Sequence, residues 1–218
     1  MKRTMGRLVP LAAVVVSGLA LAAAAAAGPR DEKLRLTKAD TARARHALIR
    51  GSDLGAGWTA VHVPLSNGPR CRGYNPDFSR FTITGRAGSG FMRGAGNAIA
   101  SGVELYPSFA QASGDWAEGT RSGFLSCFAS KLARQFANSG LAVSVASKRT
   151  SRSPHIGVRS MSWHIVFRLG IQGRSVPYYV DFYGFQVGRA LGSVSFQSLS
   201  KQIPRQTPLV RLVASRLG

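Results

Sequence analysis

Between residues 141 and 198 the chain alternates apolar and polar residues with a period of two, which is typical of strands that bury one face of a sheet. Four such segments follow one another: LAVSVASKR, MSWHIVFRLG, RSVPYYVDFYGF and RALGSVSFQS. The second and third are separated by Gln172 and Gly173, a dipeptide that favours a two-residue hairpin turn. This part of the chain is therefore predicted to be a four-stranded antiparallel meander.

Apolar residues at helical spacing precede the meander and extend to Gly140. Ser108 and Gln111 form a capping-box pattern at the start of this region, which predicts the beginning of a long central helix. Glycines in the first half weaken helix formation, so the region is either one kinked helix or two helices in succession. These glycines are Gly114, Gly119 and Gly123.

Shorter elements complete the fold prediction. Thr37 caps a first helix that includes residues 42–49 and ends at Gly51, and Thr207 caps a short closing helix whose first residue is Pro208. Two strands are predicted before the long helix, one starting at FTIT and ending where glycines become frequent, the other ending at YP. Because the strands cluster in runs separated by a helix, we predict an α+β domain. Its mostly antiparallel sheet of five to six strands packs against the long central helix, with further helices at both termini.

The first 27 residues predict a secretory signal peptide. Basic residues precede an apolar run, and Ala25 and Ala27 fit a small-residue cleavage site. The alternative is an uncleaved membrane anchor, because the run has about the twenty residues that cross a bilayer. Residues 28–218 are predicted to form a single domain that is secreted or lies in the cell envelope, outside the cytoplasmic membrane, with a flexible start at 28–36.

Cys71 and Cys127 are the two cysteines of the chain. In an oxidising compartment two thiols usually form a disulfide, which we favour over a buried thiol pair, a metal site or a catalytic nucleophile. Two cysteines cannot complete a zinc site alone, and no histidine has the spacing to either cysteine that such a site uses. We therefore predict a disulfide between the segment before FTIT and the apolar side of the long helix, with no metal and no other cofactor.

The chain is strongly basic, with 29 lysines and arginines against nine aspartates and glutamates and a formal net charge of +20. The charge becomes +17 when the three basic residues of the signal leave. Such a balance favours contact with polyanions, although an arginine-rich composition or simple solubility accounts for it equally. One predicted loop and its flanks concentrate the charge and are the candidate polyanion contact: Lys148, Arg149, Arg152 and Arg159.

Several segments carry a resemblance to a known family. They are ALIRGSDLGAGWT, then PDFSRFTITGRAGSGF after Cys71, then GVELYPSFAQASGDW before the helix with Cys127, and GRALGSVSF before LVRLVASRL. Together they resemble the exported actinobacterial proteins related to the extracellular PknH-like sensor domain. The resemblance covers nearly the whole mature chain and implies a compact, non-enzymatic α/β domain with a groove for an unidentified ligand. The chain differs in having no kinase domain and two cysteines where the sensor typically has two bridges.

The hairpin turn predicts which residues share a sheet face. Its register places His164 opposite Asp181, and a three-residue turn at 187–189 would place Ser195 opposite Asp181 as well. Apolar residues such as Trp163 and Phe182 then occupy the core face. The other face is expected to be wet, either as an ordinary solvated surface or as a ligand site. Its candidate binding residues are His164, Arg168, Tyr179, Asp181, Tyr183, Ser193 and Ser195.

That row contains the residue types of a hydrolase triad in the wrong order, because the acid lies between the serine and the histidine. The sequence also lacks a nucleophile elbow, a zinc-protease helix, a phosphate-binding loop and a carboxylate pair placed for glycoside hydrolysis. We therefore predict no catalytic residues, and a hydrolase is the least favoured hypothesis.

Two functions remain. The favoured one is a non-enzymatic binding or sensor-like module for an unidentified small molecule or cell-envelope polymer. The alternative is a basic surface protein that contacts cell-envelope polyanions, for which binding should weaken steeply as salt is added. No specific nucleic-acid partner is expected, and membrane contact is expected only if the signal segment stays uncleaved.

Overall fold

The structure is a computed structural model that describes residues 30–65, 68–94, 96–151, 153–199 and 203–218. The predicted signal segment and Arg152 lie outside these residues. In chain order the elements are β1 (Lys33–Leu34), α1 (Lys38–Ala47), α2 (Gly51–Leu54), β2 (Thr59–Val61), β3 (Thr82–Ile83), β4 (Gly85–Arg93), β5 (Asn97–Leu105), α3 (Phe109–Gly119), α4 (Phe124–Asn138), β6 (Ala142–Ser151), β7 (Arg159–Ile171), β8 (Arg174–Val187), β9 (Ala190–Ser198) and α5 (Gln206–Ser215).

The prediction of an α+β domain with an antiparallel sheet is confirmed. The main sheet has seven strands in the order β2-β4-β5-β9-β8-β7-β6, and every neighbouring pair is antiparallel. The predicted meander is the half of this sheet from β6 to β9. The sheet is larger than the expected five to six strands because β2 adds to its edge. A separate parallel pair joins β1 to β3.

The single long central helix of the prediction is wrong, and the alternative of two successive helices is correct. Helix α3 ends at Gly119, and α4 begins after Gly123, whose φ of 94° is left-handed backbone that glycine adopts without strain. A Cβ on Gly123 would lie 3.0 Å from the carbonyl oxygen of Gly73. The break therefore lets the chain around Gly73 approach the start of α4.

Helices cover both faces of the sheet. On one, here called the α1/α5 face, Phe91, Ile99 and Phe196 lie side by side across β4, β5 and β9 beneath α1 and α5. On the opposite, α3/α4 face, Trp163 and Phe182 pair across β7 and β8 and stack with aromatic side chains of α4. Each hairpin strand therefore buries residues of both parities, which a sheet with one wet face would not do.

Three boundaries differ from the sequence prediction. Strand β4 continues through the glycine-rich stretch, because Gly85 allows close contact with α1; a Cβ there would lie 2.4 Å from the carbonyl carbon of Asp40. Thr37 does cap α1, accepting a hydrogen bond from the Asp40 amide at 3.1 Å, but α1 ends at Ala47. Helix α5 begins at Gln206 rather than after a Thr207 cap.

The predicted disulfide between Cys71 and Cys127 is present, with the two Cα atoms 5.6 Å apart. Cys127 is buried on α4, and Cys71 lies in an irregular segment before β3. The bridge thus attaches a segment without regular structure to a helix of the core. In the chain-entropy model a loop of this length contributes roughly 4 kcal/mol to stability.

Two arginine–aspartate pairs fasten the N-terminal helices to distant parts of the chain. Arg189, in the β8–β9 turn, contacts both carboxylate oxygens of Asp40 at 2.6 and 2.9 Å. Arg216, after α5, contacts both oxygens of Asp53 at 2.8 Å. The hydrogen bond from Arg189 lowers the pKa of Asp40 to about 2, and that from Arg216 lowers the pKa of Asp53.

Candidate functional site

The predicted pairing of His164 with Asp181 is present. Nδ1 of His164 lies 2.7 Å from Oδ1 of Asp181, and the whole β7–β8 register around Gln172 and Gly173 is as predicted. Both turn residues have positive φ, 51° and 75°, as a type I′ hairpin requires. The turn therefore fixes the alignment of the two strands.

The pair is buried and not on a wet face, which corrects the sequence prediction. His164 and Asp181 are only 6% and 4% exposed. Gln206, the first residue of α5, donates from Nε2 to Oδ2 of Asp181 at 2.8 Å and accepts from the Tyr183 hydroxyl at 2.8 Å. This polar network joins β7, β8 and α5. Sequence reasoning missed Gln206, because nothing local indicates that a residue 25 positions after Asp181 reaches it.

Ser193 and Ser195 do not belong to the row. The turn between β8 and β9 has two residues, Gly188 and Arg189, instead of three, so Ser195 pairs with Phe182 and Phe196 takes the position opposite Asp181. A one-residue change of register moves every side chain of a strand to the other face. The serine that completed the triad composition therefore lies on the α3/α4 face.

Beyond the network, the α1/α5 face continues into a region that no helix covers within the described part of the chain. Helices α1 and α5 pack on β4, β5, β8 and β9, and α4 packs on the opposite side of β6 and β7. We call the uncovered region the open strip. Paired positions in β6, β7 and β8 show that it consists of Ser144, Ser147, Arg149, Val166, Arg168, Pro177 and Tyr179.

Two arginines and a tyrosine give the open strip its chemistry. Arg149 and Arg168 are exposed, and Tyr179 is half-buried with its ring centre 6.1 Å from that of His164. Neither arginine forms an ion pair with any residue that the structure describes. Tyr179 directly opposes Val166, and Arg168 is two residue pairs further along the hairpin, the next position on this face. The strip therefore carries two exposed arginines and a tyrosine on the same face of the sheet.

The predicted basic loop is not one surface. Lys148 and Arg149 lie in strand β6 and point to opposite faces, because they pair with Ile165 and His164. Lys148 donates to the Ser126 hydroxyl of α4 at 2.9 Å. Arg159 begins β7, and Arg152 lies outside the described residues. Of the four predicted polyanion contacts, Arg149 is the one that belongs to the open strip.

A small polar cavity of about 110 Å³ lies near the disulfide. It is lined by Gly73, Tyr74, Asn75, Pro76, Arg121 and Ser122. Since one water occupies about 30 Å³ in the liquid, this volume suits a few water molecules and not a drug-sized ligand. Among the described residues no group of three or more histidine, cysteine, aspartate or glutamate side chains is arranged to hold a metal ion.

No protein-family model matches the chain, and no curated protein matches it. One solved structure that aligns with part of the chain is the crystal structure of PA94 from Pseudomonas aeruginosa, a protein of unknown function described as a putative regulator. The two share 11% identity over 58% of this chain and 78% of that chain, with a TM-score of 0.24. A match this weak carries no argument, and the resemblance to PknH-like sensor domains stays a prediction. No helix in the described residues combines the length and hydrophobicity needed to span a bilayer.

Proposed function

We propose that the chain is an exported, non-enzymatic binding module that holds an anionic ligand on the open strip. The supporting observation is that Arg149, Arg168 and Tyr179 share one face of a part of the sheet that the described helices leave uncovered. Guanidinium groups bind carboxylate or phosphate through paired hydrogen bonds, and a tyrosine ring stacks on a sugar or an aryl group. The expected ligand therefore has an acidic group and a ring.

The charge inventory supports an anion as the occupant. The chain has nine aspartates and glutamates, and described contacts place seven of them against an arginine, a histidine or a backbone amide. Few carboxylates are left to neutralise the open strip from within. An anionic ligand would supply the countercharge that the two arginines lack.

The buried network beside the strip supports binding over an unspecific surface role. Tyr183, Gln206, Asp181 and His164 form a chain of hydrogen bonds from α5 into β7, two residue pairs away from Tyr179. Side chains locked in this way hold a binding surface in one geometry, which lowers the entropic cost of binding. Export is proposed from the signal-like N-terminus together with the disulfide, since disulfides persist in oxidising compartments.

The experiment is an NMR titration of the full chain with phenyl phosphate and, separately, with inorganic phosphate. We expect amide shifts centred on residues 144–149, 166–168 and 177–179, and tighter binding of phenyl phosphate because its ring can stack on Tyr179. Arg168→Gln should weaken binding at least tenfold. Arg174→Gln is the matched control, an exposed arginine of the same hairpin whose parity places it on the α3/α4 face.

A second candidate is the polyanion-contacting surface protein, which the net charge of +20 favours. It predicts shifts distributed over exposed arginines, an equal effect of Arg168→Gln and Arg174→Gln, and affinity that falls steeply as salt rises. That pattern, in place of localised shifts, would refute the open strip as a defined site.

A further inference from the structure

Three carboxyl groups from three parts of the chain meet beneath the N-terminal segment. Glu32 precedes β1, Glu104 lies on β5 and Asp115 on α3, and the three interact electrostatically with one another. Nε of Arg86 lies 2.8 Å from Oε1 of Glu104, and the Tyr106 hydroxyl donates to Oε2 of Glu104 at 3.2 Å. Arg86 is thus the guanidinium that the cluster contacts directly.

Glu32 and Asp115 stand apart from the other carboxyl groups. They are 9% and 6% exposed, and neither forms an ion pair within the described part of the chain. Among the described residues, Oδ2 of Asp115 has no hydrogen-bond partner although it is buried. The chain has 29 lysines and arginines for nine aspartates and glutamates, which is enough to pair every carboxylate with a cation. Two buried carboxyl groups without one therefore favour the protonated form.

Burial is the main cause of the altered ionisation. It raises the pKa of Glu32 to about 7 and that of Asp115 to about 8, and the negative charge of Glu104 raises both further. Tyr106 is also buried, which raises its pKa, so its hydroxyl remains a donor. Other charged or titratable groups lie nearby: Asp31, which is paired with Arg70 and interacts with Glu32, and Tyr74, which interacts with Asp115 and with Glu118 of α3. The cluster therefore exchanges protons near neutral pH.

The cluster lies where the N-terminal segment joins the domain. The amides of Lys33, Arg35 and Thr37 donate to the carbonyls of Phe81, Ile83 and Thr84 at 2.9, 2.9 and 2.8 Å. The segment from residue 30 to 37 is hydrogen-bonded along residues 78–84. Glu32 is buried in this segment and interacts electrostatically with Glu104 and Asp115. Its ionisation state therefore bears directly on how firmly the segment is held.

We propose that Glu32 and Asp115, beside Glu104, form a proton-operated latch, which holds residues 30–37 on the domain while either of the two keeps a proton and releases them when both ionise. Full ionisation leaves three negative charges beside the guanidinium of Arg86, with Glu32 and Asp115 buried and Glu104 partly exposed. Release brings Glu32 into solvent and relieves part of this repulsion. Each proton that release sheds lowers the closed-to-open ratio tenfold per pH unit.

The test is hydrogen exchange followed by mass spectrometry on the full chain between pH 5.5 and 8.5, corrected for intrinsic exchange rates. We expect the protection of peptides covering residues 30–37 to fall at least tenfold between pH 6.5 and 8.5. Peptides from the β7–β8 hairpin should keep their protection, which separates local release from global unfolding.

Two neutral variants test the cluster separately. Glu32→Gln and Asp115→Asn should each retain protection of residues 30–37 at pH 8.5. The matched control is Asp77→Asn, which removes an exposed carboxylate beside the same segment and should leave the wild-type pH response intact. Protection that does not depend on pH in the wild type, or a wild-type response in both cluster variants, would overturn the latch. Restoration of protection at pH 8.5 by millimolar Ca²⁺, absent in Asp115→Asn, would assign the cluster to a cation and equally overturn it.

Discussion

Asp40 and Asp115 occupy comparable positions, each on a helix that packs against the same sheet. Their acid dissociation constants nevertheless differ by several orders of magnitude. Arg189 holds both oxygens of Asp40 and lowers its pKa to about 2. Asp115 is buried near Glu104 and Glu32, and its pKa rises to about 8. Both aspartates belong to the same strongly basic chain. Local burial and the nearest partner decide the ionisation of a carboxyl group, not the overall excess of cations.

The largest expected effect of this difference is on the pH dependence of stability. The pKa of Asp40 is lowered on folding, so its contribution is present above about pH 4 and is lost as pH falls toward 2. Glu32 and Asp115 have raised pKa values, so the folded state keeps protons that the unfolded chain has released above about pH 4. The free energy of unfolding should therefore peak near pH 5 and fall by on the order of 2–4 kcal/mol by pH 8.5. Urea unfolding at four pH values measures this, and a plateau from pH 5 to 8.5 would contradict it.

Arg189→Met should destabilise the fold by about 2 kcal/mol at pH 7. Besides Asp40, Arg189 donates to the carbonyl oxygen of Tyr106 at 2.6 Å, so its loss removes the donor to that carbonyl and leaves the Asp40 carboxylate with the Thr84 hydroxyl. The destabilisation should become smaller below pH 3, because Asp40 without Arg189 then takes up a proton and no longer leaves an unpaired charge. Arg80→Met is the control: Arg80 lies 3.6 Å from Glu118, is 68% exposed and should change stability by less than about 0.5 kcal/mol. Equal destabilisation by the two variants would contradict the prediction that the Arg189–Asp40 pair stabilises the fold more than the exposed Arg80–Glu118 pair.

Replacement of aspartate by asparagine should change the free energy of unfolding in opposite directions at Asp40 and Asp115. Asp40→Asn breaks the paired contacts with Arg189 and should cost about 1–2 kcal/mol at pH 7. Asp115→Asn removes an ionisation penalty, and its amide can donate to a neighbouring carboxylate such as Glu104. It should stabilise the fold by about 1 kcal/mol at pH 8.5 and change little at pH 5. Thermal unfolding of both variants at both pH values decides the matter; destabilisation by Asp115→Asn at pH 8.5 would contradict the account.

The smallest effect is expected for Arg121→Met. Arg121 lies 2.7 Å from Glu118 at the end of α3 and is 62% exposed, so solvent screens the pair. A change of no more than about 0.5 kcal/mol should appear, and it should not vary between pH 5 and 8.5. A strong pH dependence in this variant would mean that charges on α3 act over a longer range than the comparison with Asp115 assumes.

The sequence predicts those features of the fold that depend on residues close together in the chain, such as a hairpin turn. The turn at Gln172 and Gly173 sets the register of β7 and β8, and that register was predictable pair by pair. The register of β8 with β9 was not predicted, because the chain turns within two residues, Gly188 and Arg189, and not within three. Gly188 has a φ of 53°, and glycine at the first position of a two-residue turn is a signal for a type II′ hairpin that could have been used.

The buried polar groups could not be predicted from the sequence, for a physical reason. Alternation suggested one wet face, but α5 returns from the end of the chain to cover His164 and Asp181 through Gln206. Glu32 and Asp115 are separated by most of the N-terminal half, and they come near each other through residues 81–84, which bond to the N-terminal segment and also to α3 and the end of β5. Such contacts depend on tertiary structure, and neither propensity nor periodicity contains them.

Strand β6 is an outer edge of the sheet and offers ten residues of backbone for pairing with a strand of another molecule. Lys148 and Arg149 stand side by side on that edge, and a bulge between Val145 and Ser147 interrupts its regular spacing. Charged side chains and bulges at exposed edges oppose intermolecular β-sheet growth. These basic residues thus also protect the protein from aggregating at high concentration, whether or not they ever contact an anion.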